Sequence, residues 1–156
     1  QIHGVDQMQG RDFVDKNPTV KADGKKAIFS TAIAGAYPEA ADVNKWVRSY
    51  RLDRGKKFTI ADNYELSKIG NKPTSLNFIT YCNVSEIKPG ILKLEGDGYV
   101  MEMKYNTKNV TPSTEFIEVA DDKLKGYWPN GVTRIVFTLN NPGTNGKNQI
   151  VLSPSR

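Results

Sequence analysis

A single cysteine and a single histidine stand among 156 residues, and each scarcity removes a class of chemistry. Cys82 has no partner for an intrachain disulfide, and His3 alone cannot supply a histidine-rich metal centre. No run of about 18 apolar residues occurs, so no helical membrane span is expected. Walker loop, GxGxxG run, GxSxG elbow and CxxC pair are all missing, which leaves no signal for nucleotide binding, serine hydrolase or dithiol chemistry. No repeat or low-complexity tract is evident. No signal-peptide pattern opens the chain. Its start at Gln1 instead of methionine reads as a processed or excised segment, with any export signal or neighbouring domain upstream.

The length suits one domain, 1–156, large enough to bury a core without disulfides or structural metal. The formal charge of +5 favours acidic partners such as anionic polysaccharide, nucleic acid or phosphate. Lysines and arginines are nevertheless interspersed with acids instead of forming a basic stripe with interleaved aromatics, so nucleic acid is not the expected partner.

Turn residues recur at short intervals, as Asp23-Gly24, Arg54-Gly55, Gly70-Asn71, Pro89-Gly90, Gly96-Asp97-Gly98, Pro129-Asn130-Gly131, Asn141-Pro142-Gly143 and Asn145-Gly146. Between them lie β-branched and aromatic runs with period two. The pattern predicts an all-β, antiparallel β-sandwich of roughly ten strands. Leu76, Phe78, Thr80 and Cys82 share one face, Tyr99, Met101, Met103 and Tyr105 another, and Ile135, Phe137 and Leu139 a third. Gly90 to Tyr105 forms a hairpin that sets Leu92 and Leu94 against the Tyr99-to-Met103 face. Residues 106 to 131 are expected to hold an edge strand and a long loop.

One stretch differs in texture. In "AGAYPEAADVNKWVRSYRL", residues 34 to 52, Pro38 suits a first helical turn and Glu39 and Asp42 complement its dipole. A short helical turn near residues 38–44 follows, pinned by Tyr37 with Val43 or Trp46 because it is too short to stand alone. From Trp46 the period becomes two, placing Trp46, Arg48, Tyr50 and Leu52 on one face. The next strand presents Phe58, Ile60, Asp62, Tyr64 and Leu66. With Arg54, Gly55 and Lys56 as the loop, Leu52 meets Phe58, Tyr50 meets Ile60, and Arg48 meets Asp62, whereas a one-residue slip mixes the faces. An Arg48–Asp62 ion pair is therefore expected. Arg48 has two readings: a strut that fixes the hairpin, or a guanidinium that grips a sugar carboxylate or sulfate with the donors Asp62 leaves free.

"QIHGVDQMQG", "AIFSTAIAGAYP", "WVRSYRL" and "FTIADNYEL", in this order over residues 1 to 95, resemble the C-terminal region of heparinase II/III-like polysaccharide lyases. The resemblance implies a larger protein in which a helical toroid precedes a β-sandwich, and β-elimination of acidic, glycosaminoglycan-like chains. It implies a periplasmic or secreted protein, with acidic polysaccharide as partner. Gln7, Tyr37, Arg48 and Asp62 are the matching positions, and none is assigned to catalysis. The catalytic groups implied lie upstream, so this segment alone is expected to be inactive and to hold no cofactor. A metal in the parent protein would take its histidines from outside this chain.

Other residues complete the candidate list. Cys82 reads as core packing, and Asp121-Asp122 as solvated carboxylates. Tyr127-Trp128 is either an apolar plug over one end of the sandwich or a platform that stacks on a sugar ring. Asn83-Val84-Ser85 and Asn109-Val110-Thr111 match the N-glycosylation pattern. The alternatives to a lyase domain are an independent carbohydrate-binding module and a purely structural or interaction sandwich.

Overall fold

Alternating apolar residues and two-residue to three-residue turns build strands whose order becomes clear only in three dimensions. The computed structural model describes residues 1–15 and 18–155. Its strands are β1 (Thr19–Ala22), β2 (Lys26–Ala32), β3 (Val43–Asp53), β4 (Lys57–Leu66), β5 (Ser75–Thr80), β6 (Asn83–Lys88), β7 (Ile91–Gly96), β8 (Tyr99–Lys104), β9 (Val110–Ile117), β10 (Val132–Leu139) and β11 (Asn145–Pro154). An eight-stranded sheet runs β1-β2-β3-β4-β11-β8-β7-β6, and a three-stranded sheet runs β5-β10-β9. All the strand pairs are antiparallel.

The two sheets share one core. Ile60, Leu92, Leu94, Met103 and Ile150 from the large sheet join Leu76, Ile135, Phe137 and Leu139 from the small one. Tyr105 brings its ring centroid to 5.1 Å from that of Phe137. The inner strands have a wet face and a dry one, as the period-two pattern requires, whereas the edge strand β1 is exposed throughout.

Local turn chemistry sets the registers. In the β7–β8 hairpin Gly96 faces Tyr99, leaving Asp97 and Gly98 as the loop. Both have positive φ, 45° and 79°, the geometry of the turn whose twist matches that of paired strands. Leu92 consequently faces Met103, and Leu94 faces Met101. Between β3 and β4 the loop is Arg54-Gly55-Lys56, and Leu52 faces Phe58, Tyr50 faces Ile60, and Arg48 faces Asp62.

The short helical turn near residues 38–44 is present as the 3-10 turn Glu39–Ala41, preceded by another at Ala34–Ala36, and other local details differ from expectation. Asp42 ends the second in the left-handed region, at φ 53°, and Val43 already pairs with Leu66 in β3. Strand pairing therefore claims the residues that helix propensity would have taken. Cys82 lies past the end of β5, where Tyr81 and Cys82 bend the chain from the small sheet to β6 of the large one. Its thiol is still buried, 3.4 Å from the Tyr99 hydroxyl. Finally, the loop after edge strand β9 contains one helical turn, α1 (Asp122–Lys125), capped by the Asp121 carboxylate, which accepts from the backbone N–H groups of Lys123 and Leu124. Asp121 is thus a cap, not only a solvated acid.

Candidate functional site

The first residues of the chain form no strand of the two sheets, yet they build one wall of a cavity. Gln1 and Ser75 exchange backbone hydrogen bonds of 3.0 and 2.9 Å, extending the ladder beyond β5. Ile2 and Val5 form an isolated bridge, and Met8 N–H donates to Ala36 O at 2.8 Å. His3, buried with φ 50°, accepts from the Gly70 N–H through Nε2 at 3.0 Å. A Cβ on Gly70 would sit 2.4 Å from the imidazole, so only glycine permits that approach. These contacts pin residues 1–8 over the β3 and β5 ends.

Beneath them lies a cavity of about 250 Å3, lined by Gln1, Ile2, Asp6, Gln7, Ile33, Tyr37, Trp46, Arg48, Ser75, Leu76 and Asn77. Gln7, Tyr37 and Arg48 thus meet in one place from three separate stretches of sequence. Asp62 completes the set from below. Its Oδ1 accepts from Arg48 Nε at 2.8 Å and from Trp46 Nε1 at 2.7 Å, and its Oδ2 accepts from Arg48 Nη2 at 3.0 Å. The Asp62 side chain is 2% exposed and that of Arg48 17%, so the carboxylate is sealed while the guanidinium keeps an edge toward the cavity. Trp46 is held in turn by stacking on Tyr64, centroids 4.8 Å apart.

Electrostatics fix the protonation states. Burial works to lower the Arg48 pKa, but the Asp62 hydrogen bonds and charge, with Tyr50, more than offset it and leave it above its ordinary value. The guanidinium is permanently cationic. Two of its five N–H donors go to Asp62, leaving three for Tyr50 and the cavity. Burial pushes the Tyr37 phenol up, with Arg48 pulling the other way and Asp6 and Asp62 adding to the rise. Tyr37 therefore stays protonated at neutral pH, a hydrogen-bonding group and not a base.

The arrangement can recognise a small polar group with an acid on one side and hydroxyls on the other. Arg48 is the anion donor, Asp6 the hydroxyl acceptor, and Gln7 and Asn77 can serve as either. No general base and nucleophile come together here, since His3 commits its Nε2 to a backbone amide. Among the described residues no group of three or more His, Cys, Asp or Glu side chains could hold a metal ion. Among the described residues no helix is long and apolar enough to cross a membrane.

Tyr127 and Trp128 are placed elsewhere. Neither lines the Arg48 cavity, and with exposures of 80% and 40% they do not plug the sandwich end. They stand on the loop that carries α1, beside Gly131, whose N–H donates to Trp128 O and against which the exposed Phe116 ring packs. Sequence reasoning missed Asp6 and Asn77. Asp6 lies in a segment with no periodicity, and Asn77 occupies the wet face of β5, where alternation carries no functional signal.

No protein-family model matches the chain, and no curated protein matches it. Solved structures do. A mutant of the heparan sulfate lyase HepC from Pedobacter heparinus superposes with a TM-score of 0.59 at 15% identity over 88% of this chain. The unmutated HepC gives 0.57, with the same identity and coverage. The chain spans 21% of those lyase chains. At this identity the likeness is one of fold: the chain shares a heparinase-like β-sandwich with a heparan sulfate lyase.

Proposed function

We propose that this chain is the non-catalytic, accessory β-sandwich domain of an exported polysaccharide lyase of the heparinase II/III-like kind. In this reading the full-length protein cleaves an acidic polysaccharide by β-elimination, removing the proton beside a uronic acid carboxylate. The sandwich supports a helical toroid, and the Arg48 cavity lines one wall of the glycan cleft. The observation that carries the reading is the fold shared with heparan sulfate lyase HepC. The convergence of Gln7, Tyr37 and Arg48 on one cavity, over an Asp62 strut, supports placing the glycan-facing wall there.

The test is release of unsaturated uronate, followed by ultraviolet absorbance, from heparan sulfate, heparin, alginate and polygalacturonate. The full-length protein is expected to act on at least one, the chain alone on none, and Arg48→Met in the full-length protein to raise KM. Absence of eliminative cleavage on all four overturns the lyase reading. An independent carbohydrate-binding module is the second reading, favoured by the exposed aromatic group Phe116, Tyr127 and Trp128. It predicts that Tyr127→Ala weakens binding of the chain to glycan while the lyase assay stays blank.

A further inference from the structure

The outward face of the large sheet is as informative as the cavity inside. Along β3 and β4 the residues that alternate with the core set point away from it. Val47 faces Asn63 and Ser49 faces Ala61, and across β11 Asn63 faces Lys147 and Ala61 faces Gln149. Small side chains thus occupy the middle of the face, where they leave a trough.

The trough is walled and continuous. At one end a concavity of about 600 Å3 holds Lys45, Asn63, Asn109, Lys147 and Gln149. Its neighbour, about 530 Å3, shares Asn106 and Gln149 with it. A third, about 780 Å3, shares Lys104 and Val151 with the second and ends at Lys56 and Lys57. The loop that walls the first is tied down: Asn109 Nδ2 donates to Lys147 O at 3.3 Å, and Asn140 N–H to Asn109 O at 2.8 Å. From Lys147 to Ser153 on β11 the face extends about 20 Å at a strand's rise per residue.

The unpaired charge that lines it is cationic. Among the described residues, the side chains of Lys45, Asn63, Lys147 and Gln149 make no hydrogen bond or ion pair, although Glu65 stands opposite Lys45 in the ladder. The acids that line the trough are already engaged: Asp62 points inward to Arg48 and Trp46, and Glu102 pairs with Lys104 at 2.9 Å. What remains is a row of ammonium groups separated by carboxamides, donors for acid groups and hydroxyls in alternation. The lining includes a single aromatic, Tyr105, and that ring is buried against Phe137, so nothing in the trough can stack on a nucleobase.

We propose that this trough is a second binding site, which takes an extended oligosaccharide bearing sulfate or carboxylate groups. It shares its ligand class with the function proposed above but rests on different residues on the opposite face of the sheet. The experiment measures binding of the full chain to a fluorescent heparin octasaccharide at low and physiological salt, with neutral dextran and single-stranded DNA as comparators. Expected are salt-sensitive heparin binding, none to dextran, and weaker binding to DNA. Lys147→Glu with Lys45→Glu, whose exposed side chains make no hydrogen bond or ion pair, should weaken heparin binding at least tenfold, whereas Lys21→Glu, a charge reversal on β1 away from the trough, leaves it within twofold. Wild-type affinity in the double lysine variant, or DNA bound as tightly as heparin, overturns the proposal. Loss in the charge-compensated Arg48→Met, Asp62→Leu variant, with the lysine variant intact, overturns it also while leaving the cavity reading standing. Unchanged circular dichroism of the variants secures the comparison.

Discussion

Replacing Asp62 with alanine removes one carboxylate and three hydrogen bonds, and the loss can be sized. Arg48 loses both Nε and Nη2 acceptors, at 2.8 and 3.0 Å, and Trp46 loses its 2.7 Å partner. The indole is 1% exposed, so its N–H has no water to turn to, and a buried donor left alone costs about 1–3 kcal/mol. Breaking a buried ion pair from one side costs about 3–5 kcal/mol. The two costs overlap because they share one carboxylate, and the 17% exposure of Arg48 lets water reach the guanidinium. Together they point to about 4 kcal/mol. With a urea m-value of about 2 kcal/mol/M, the unfolding midpoint should fall by about 2 M, read by tryptophan fluorescence. Arg48→Met combined with Asp62→Leu should recover part of the loss, because no charge is then stranded although the Trp46 N–H still lacks its acceptor. A midpoint for Asp62→Ala within about 0.5 M of wild type, or strictly additive single and double variants, would refute the coupling.

Gly131→Ala should destabilise by more than about 1 kcal/mol, since φ is +78° and the new methyl would lie 2.5 Å from the Phe116 ring; thermal unfolding checks it. Gly146→Val should cost about 1–3 kcal/mol by overpacking, because a Cβ there meets the Tyr64 ring at 2.3 Å and pushes it off Trp46; near-ultraviolet circular dichroism should report the lost stack. The Asp23 carboxylate accepts from the Lys25 and Lys26 N–H groups at 2.7 and 2.9 Å, which hold its pKa below the ordinary 3.8. Its contribution to folding is therefore whole above that value and fades as pH falls through the lower folded-state pKa. Asp23→Asn should reduce the acid dependence of the urea midpoint below about pH 4, with no change near neutrality in that dependence.

The hairpins were legible because two local rules agree on them. Alternation assigned Tyr50, Leu52, Phe58 and Ile60 to one face, and the glycine-containing loop allowed a single register that kept those faces unmixed, which brought Arg48 to Asp62. The Asp97-Gly98 turn worked the same way. What remained hidden was long-range. Nothing in "NGKNQIVLSP" says that β11 lies between β4 and β8, since an alternating strand suits any neighbour. The cavity was half legible. Arg48 stood out as a charge in an apolar pattern, and Gln7 and Tyr37 entered through a resemblance, whereas Asp6 and Asn77 joined through the fold of an aperiodic segment. Cys82 was placed on the β5 face because alternation runs on past Thr80, and no local signal marks the bend at which the chain changes sheets.

The place of β11 between β4 and β8 has a consequence for how the molecule is made. The large sheet consists of two runs of neighbouring strands, β1 to β4 and β6 to β8, and only β11 bonds to both. Until residue 154 is free to pair, β4 and β8 each present an unsatisfied edge, and such edges invite foreign strands. Synthesis therefore leaves two half-sheets waiting for their keystone, and a folding pathway with many distant contacts is slow. A chaperone, or an adjoining domain that shields those edges meanwhile, would matter most in the interval before β11 arrives.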